Sequence, residues 1–145
     1  MTSSGAGLPT RARSVAGAGD EVKREPGHRS VVLIVDDHAD TRELYSQFLD
    51  AVGFRVIEAT TCAEALAKAR IAGIDAIVLD RRLPDGDGMD VCRTLRSDPK
   101  TRALPIIVLS GREKQDAIEA DLYLLKPVVP DVLVGELERL IARGD

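Results

Sequence analysis

The chain has 145 residues, 44% of them hydrophobic and 30% charged, with a formal net charge of −4. This balance fits a single globular domain and argues against a phosphate-backbone binder, which normally carries a basic face. No apolar run approaches the roughly 18 to 20 residues that span a bilayer, and no secretory leader pattern opens the chain, so a cytoplasmic protein with no membrane and no direct nucleic-acid partner is expected.

In chain order, residues 1–30 come first and read as a flexible tail. They are rich in Gly, Ala, Ser and Arg, and Leu8, Val15 and Val22 are too few to build a core. The tail has five Lys/Arg and three Asp/Glu, leaving 15 against 21 and a net of −6 on residues 31–145, the expected folded domain. From there "VVLIV" (31–35), "FRVIE" (54–58), "DAIVLD" (75–80), "LPIIVL" (104–109) and "DLYLL" (121–125) read as five strands. Three of these runs are continuously aliphatic, the pattern of strands buried on both faces.

Segments of helical period separate the strands. Leu44, Phe48 and Val52 predict the inner face of the first helix, Met89, Cys92 and Leu95 that of the third, and Leu133, Leu137, Leu140 and Ile141 that of the last. Asp40 or Thr41 is the expected cap of the first helix and Thr60 or Thr61 that of the second, with Gly53 and Gly73 closing them. Cys62 and Cys92 have no ligand-spaced partner and read as small buried residues. The strict alternation of strand and helix predicts an α/β fold, a five-stranded parallel sheet covered on both faces.

The functional crevice of such a sheet lies at the carboxyl ends of its strands. Asp36 and Asp37 end the first strand, Asp80 the third, Ser110 the fourth, and Lys126 the fifth. Three converging carboxylates need a cation or raised pKa values to coexist, and a hard divalent ion such as Mg²⁺ resolves the conflict. A lysine and a hydroxyl beside them can neutralise and hydrogen-bond phosphoryl oxygens, which makes Asp80 a candidate nucleophile for an aspartyl phosphate.

The acid pair, "LDRRLPDGDGMD" around Asp80, "LSG" after the fourth strand and "KP" after the fifth together resemble the receiver domains of two-component response regulators, of the single-domain chemotaxis-regulator type. The resemblance covers about residues 31–143. It implies a (βα)5 flavodoxin-like receiver fold, with Asp80 as phosphoacceptor and Mg²⁺ held by Asp36, Asp37, Asp80 and the backbone carbonyl of Arg82. Lys126 would contact the phosphoryl group, Ser110 and Tyr123 would be the switch residues, and Pro127 would follow a cis peptide. The donor would be a sensor histidine kinase or histidine phosphotransfer protein, and the output a protein contact or a phosphorelay. Such a module is not a conventional enzyme, although it assists its own phosphorylation and dephosphorylation. It would stand alone, since only about one helix follows Lys126.

Several residues carry plainer readings. Either acid of the pair could cap a helix, Tyr123 could simply pack on a neighbouring strand, and His38 reads as a solvated loop residue because Mg²⁺ prefers oxygen. "LPDGDG" (83–88) reads mainly as a loop, while Arg81, Arg82 and Arg112 lie near the mouth, where they could tune phosphoryl lifetime. Only ten residues separate Ser110 from Asp121, close to the lower limit for a crossover, so a shortened fourth helix is expected. That shortening favours an alternative function, a receiver-fold adaptor independent of phosphorylation. A Mg²⁺-dependent phosphatase with an aspartyl nucleophile is disfavoured because Arg82 stands where a second carboxylate would serve as general acid.

Overall fold

The computed structural model describes residues 29–71, 73–112 and 119–144. Residues 1–28 of the expected tail and residues 113–118, within the segment between Ser110 and Asp121 expected to hold a shortened fourth helix, lie outside the described residues. The five strands are β1 (Val31–Val35), β2 (Arg55–Ala59), β3 (Ile74–Asp80), β4 (Ile106–Ser110) and β5 (Leu122–Leu125). They pair in parallel in the order β2-β1-β3-β4-β5, so the strand order reverses between β1 and β3. Among the described residues there are four helices: α1 (Ala39–Ala51), α2 (Cys62–Ala69), α3 (Gly88–Ser97) and α4 (Pro130–Gly144).

The three continuously aliphatic runs are the three central strands, as burial on both faces requires. Side chains alternate across them. Leu33, Val35, Ile77, Leu79, Ile106 and Val108 pack with Ala65, Ala69, Met89, Cys92 and Leu95 of α2 and α3. Val32, Ile34, Ala76, Val78, Ile107 and Leu109 pack on the other face with Tyr45 and Leu49 of α1 and Leu133, Leu137, Leu140 and Ile141 of α4. Each fully buried Leu or Ile contributes about 1.5 to 3 kcal/mol of transfer free energy. The edge strands are less covered, and Leu125 at the end of β5 is half exposed.

The first helix differs from expectation in two ways. Leu44 and Val52 are exposed and Phe48 is only partly covered, whereas Tyr45, Ser46 and Leu49 face inward. Two apolar rows run side by side on this helix, and the row containing tyrosine is the buried one. Its hydroxyl donates to the Val128 carbonyl at 3.0 Å, so the ring is buried without orphaning its polar end. The helix also starts earlier than Asp40 or Thr41 suggests. His38 is the N-cap, with no side-chain cap bond of its own, and the Asp36 carboxylate accepts the His38 N–H at 2.8 Å, which turns the chain directly behind the acid pair.

The second helix is capped as expected by Thr61, whose Oγ1 accepts the Glu64 N–H, while Glu64 reaches back to the Thr60 N–H. Those bonds to Thr60 hold the Glu64 carboxyl below its ordinary range. Gly53 and Gly73 both adopt positive φ, in the turns that enter β2 and β3. Cys92 is fully buried, as expected, but Cys62 is only partly so, because it opens α2 at the surface. Arg29 and Ser30 are bonded to the fold: the Arg29 guanidinium donates to the Gly53 and Phe54 carbonyls, and the Ser30 carbonyl accepts from Arg55.

Candidate functional site

The carboxyl ends of β1 and β3 lie side by side at the reversal of strand order, and both end in acid. Asp36 is 2% exposed and Asp80 4%, while Asp37, one step further along, faces solvent. Parallel pairing brings β4 alongside β3 and β5 alongside β4, so Ser110 and Lys126 arrive at the same edge. The Lys126 ammonium lies 3.1 Å from Asp80 Oδ2, and the Lys126–Pro127 peptide is cis. The Arg82 N–H points at Asp80 Oδ1 from 3.4 Å. Donor atoms of Asp36, Asp37, His38 and Asp80 all lie within 4.8 Å of one another.

Burial pushes the Asp80 carboxyl above its ordinary value, the Lys126 ammonium opposes that rise, and the Asp36 charge adds to it. Two of the three carboxylates are withdrawn from water, and the Lys126 ammonium pairs with Asp80. This oxygen-rich donor set fits a hard divalent cation.

A cleft of about 460 Å³ opens in front of Asp80, lined by Arg81, Arg82, Gly86, Asp87, Ser110, Gly111 and Arg112. Ser110 is buried, and its Oγ accepts the Arg112 N–H at 3.1 Å. Tyr123 is half-buried; its hydroxyl donates to the Arg112 carbonyl at 2.9 Å and accepts from Arg81 at 3.3 Å. Arg81 also pairs with Asp87, so it spans the cleft wall, whereas Arg82 and Arg112 are exposed at the mouth.

The "LPDGDG" stretch is more than a loop. Arg82–Leu83 and Gly86–Asp87 form a two-residue antiparallel ladder. Asp85 accepts the first two N–H groups of α2, from Cys62 and Ala63, and Asp87 caps α3 by accepting the Met89 N–H. Gly88 sits where a Cβ would come within 2.6 Å of the Asp80 carbonyl oxygen, so glycine is required for the acceptor strand and α3 to meet. The aspartate just before the Met89, Cys92 and Leu95 period was a legible cap signal for Asp87. Asp85 left no local signal, because its partners stand more than twenty residues upstream. His38 is indeed exposed, but its ring lies against the acid pair.

The arrangement agrees with what the chain is similar to. The response regulator receiver domain family matches residues 32–138. The transcriptional regulatory protein ResD of Bacillus subtilis is 35% identical over 119 residues, which are 78% of this chain and 48% of that protein. The KDP operon transcriptional regulatory protein KdpE of Escherichia coli is 42% identical over 113 residues, 74% of this chain and 47% of that protein. The chain thus spans about half the length of these relatives. Among solved structures, the chemotaxis response regulator CheY4 of Vibrio cholerae superposes with a TM-score of 0.72 at 30% identity, covering 78% of this chain and 99% of that one. The receiver domain of a sensor histidine kinase from Pseudomonas aeruginosa PAO1, described with a magnesium ion coordinated in its active-site cleft, gives 0.73 at 28% identity, covering 79% and 98%. With the reversed strand order, the acids at β1 and β3 and the family match over most of its length, the chain belongs to the response regulator receiver domain family.

Proposed function

We propose that this domain accepts a phosphoryl group on Asp80 from a phosphohistidine donor, a sensor histidine kinase or a histidine phosphotransfer protein, and passes the signal on by a protein contact or a phosphorelay. The observation that carries this reading is the buried Asp80 carboxylate held 3.1 Å from Lys126 at the mouth of an open cleft. Transfer forms a bond between an Asp80 carboxylate oxygen and phosphorus as the donor's P–N bond breaks and the imidazole leaves. Lys126 opposes the pull of burial on the Asp80 carboxyl and can then balance charge on the phosphoryl oxygens. Asp36, Asp37, Asp80 and the Arg82 backbone carbonyl are the groups that would hold Mg²⁺. When bound, Mg²⁺ would screen the carboxylate cluster and the incoming phosphoryl oxygens from one another.

Ser110 is the switch hydroxyl in this reading. Its oxygen accepts from Arg112 while its hydrogen is available to a phosphoryl oxygen across the cleft. Movement of Ser110 toward that oxygen loosens the Arg112 backbone, which is also the acceptor for Tyr123. The event at Asp80 thereby reaches the β4–β5 side of the domain through two hydrogen bonds. Borohydride trapping of the phosphorylated chain followed by peptide mapping tests the assignment. Reduction at residue 80 is the expected outcome, and reduction at any other carboxylate, or none at all in a chain that carries the phosphoryl group, would overturn it.

A further inference from the structure

His38 has no part in the roles above. Its side chain is 71% exposed, yet its Nδ1 lies 3.4 Å from Asp36 Oδ1 and 3.3 Å from Asp37 Oδ1. A nitrogen of the His38 ring also falls within 4.8 Å of an oxygen of Asp80. Neighbouring donors around one octahedral ion at about 2.1 Å lie about 3 Å apart, and opposite donors about 4.2 Å apart. The four side chains are therefore spaced like members of a single ligand shell, and rotation of the exposed imidazole can take up the remaining slack. The backbone of His38 is anchored at the same place, because its N–H is held by Asp36 Oδ1 at 2.8 Å while it serves as the N-cap of α1.

We propose that His38 supplies an imidazole nitrogen to this centre, giving it a mixed nitrogen and carboxylate donor set that discriminates in favour of late first-row transition ions over Mg²⁺. The inference rests on the reading of Asp36, Asp37 and Asp80 as a metal centre. Imidazole adds little for Mg²⁺, which is satisfied by oxygen and water, but much for ions such as Ni²⁺ and Zn²⁺. A different role for the ring would leave a different signature. Were it only a hydrogen-bond donor to the two carboxylates, its removal would free oxygens for every divalent ion alike.

Calorimetric titration of Mg²⁺ and of Ni²⁺ into the full chain separates these cases. The chain, its His38→Gln variant and its Asp80→Asn variant are compared, each also carrying His28→Gln so that the second histidine of the sequence does not contribute. The expected result is a loss of Ni²⁺ affinity of about tenfold or more in His38→Gln, with Mg²⁺ affinity held within about twofold. An equal change for both ions, or no change for Ni²⁺, overturns the role of His38 while Mg²⁺ binding lost in Asp80→Asn leaves the metal centre standing. Absence of binding by either ion to the unsubstituted site removes the centre and this inference together.

Discussion

Ile77 and Asp80 stand three residues apart on β3 and are almost equally hidden, at 0% and 4% exposure, but their burial has opposite consequences. In the middle of the sheet, water is excluded from aliphatic groups and stability is gained. At the carboxyl edge, water is excluded from Asp36 and Asp80, whose charges repel, so the same degree of burial costs stability and holds the Asp80 carboxyl above its ordinary value despite the ammonium of Lys126. The domain is thus stabilised by the middle of its sheet, and under the proposed function its carboxyl edge gives up some of that stability for chemistry.

Substitutions on either side should move stability in opposite directions. Leu137→Ala deletes a fully buried side chain of α4 and should cost about 3 kcal/mol in denaturant unfolding. Gly88→Ala acts at the join between the two regions: its Cβ would crowd the Asp80 carbonyl oxygen, costing about 2 kcal/mol and slowing phosphorylation because the acceptor strand end must shift. Asp80→Asn should do the reverse of a core truncation. Removing one of two buried, mutually repelling carboxylates is expected to raise stability by on the order of 1 kcal/mol at neutral pH in chelator, while abolishing phosphorylation.

The pH dependence of that gain has a definite sign. Asp80 is held above its ordinary value of 3.8 in the folded chain, so the unfolded chain ionises first and native stability falls as pH rises through the interval above 3.8. The advantage of Asp80→Asn should therefore be present at neutral pH and disappear below 3.8. A gain that persisted in acid would place its cause elsewhere. The smallest effect is expected at Ser46, whose Oγ is the one buried side-chain polar atom left without a hydrogen bond among the described residues. Ser46→Ala should stabilise by about 0.5 to 1 kcal/mol, measured in the same unfolding series.

Much of this architecture was legible because it is written locally. Continuous aliphatic runs identify central strands, Thr61 followed by Glu64 marks a helix start, and acids that end such runs lie at the carboxyl edge wherever the sheet places them. What escaped was decided by tertiary partners. Tyr45 lies in the core because the Val128 carbonyl, 83 residues away, accepts its hydroxyl. Asp85 organises α2 from the far side of β3, and Arg29 is tied to the α1–β2 turn by carbonyls that no periodicity reveals. His38 was readable as exposed but not as adjacent to both acids, since that depends on how tightly the chain turns into α1.

The central claim, that the costly buried edge exists to carry a phosphoryl group on Asp80, is tested most directly by intact mass. The native chain and Asp80→Asn are incubated with a small-molecule phosphodonor in Mg²⁺ and in chelator. The account predicts a gain of one phosphoryl group for the native chain in Mg²⁺ alone and none for the variant. An unchanged mass in every condition, or an equal gain in Asp80→Asn, would contradict it.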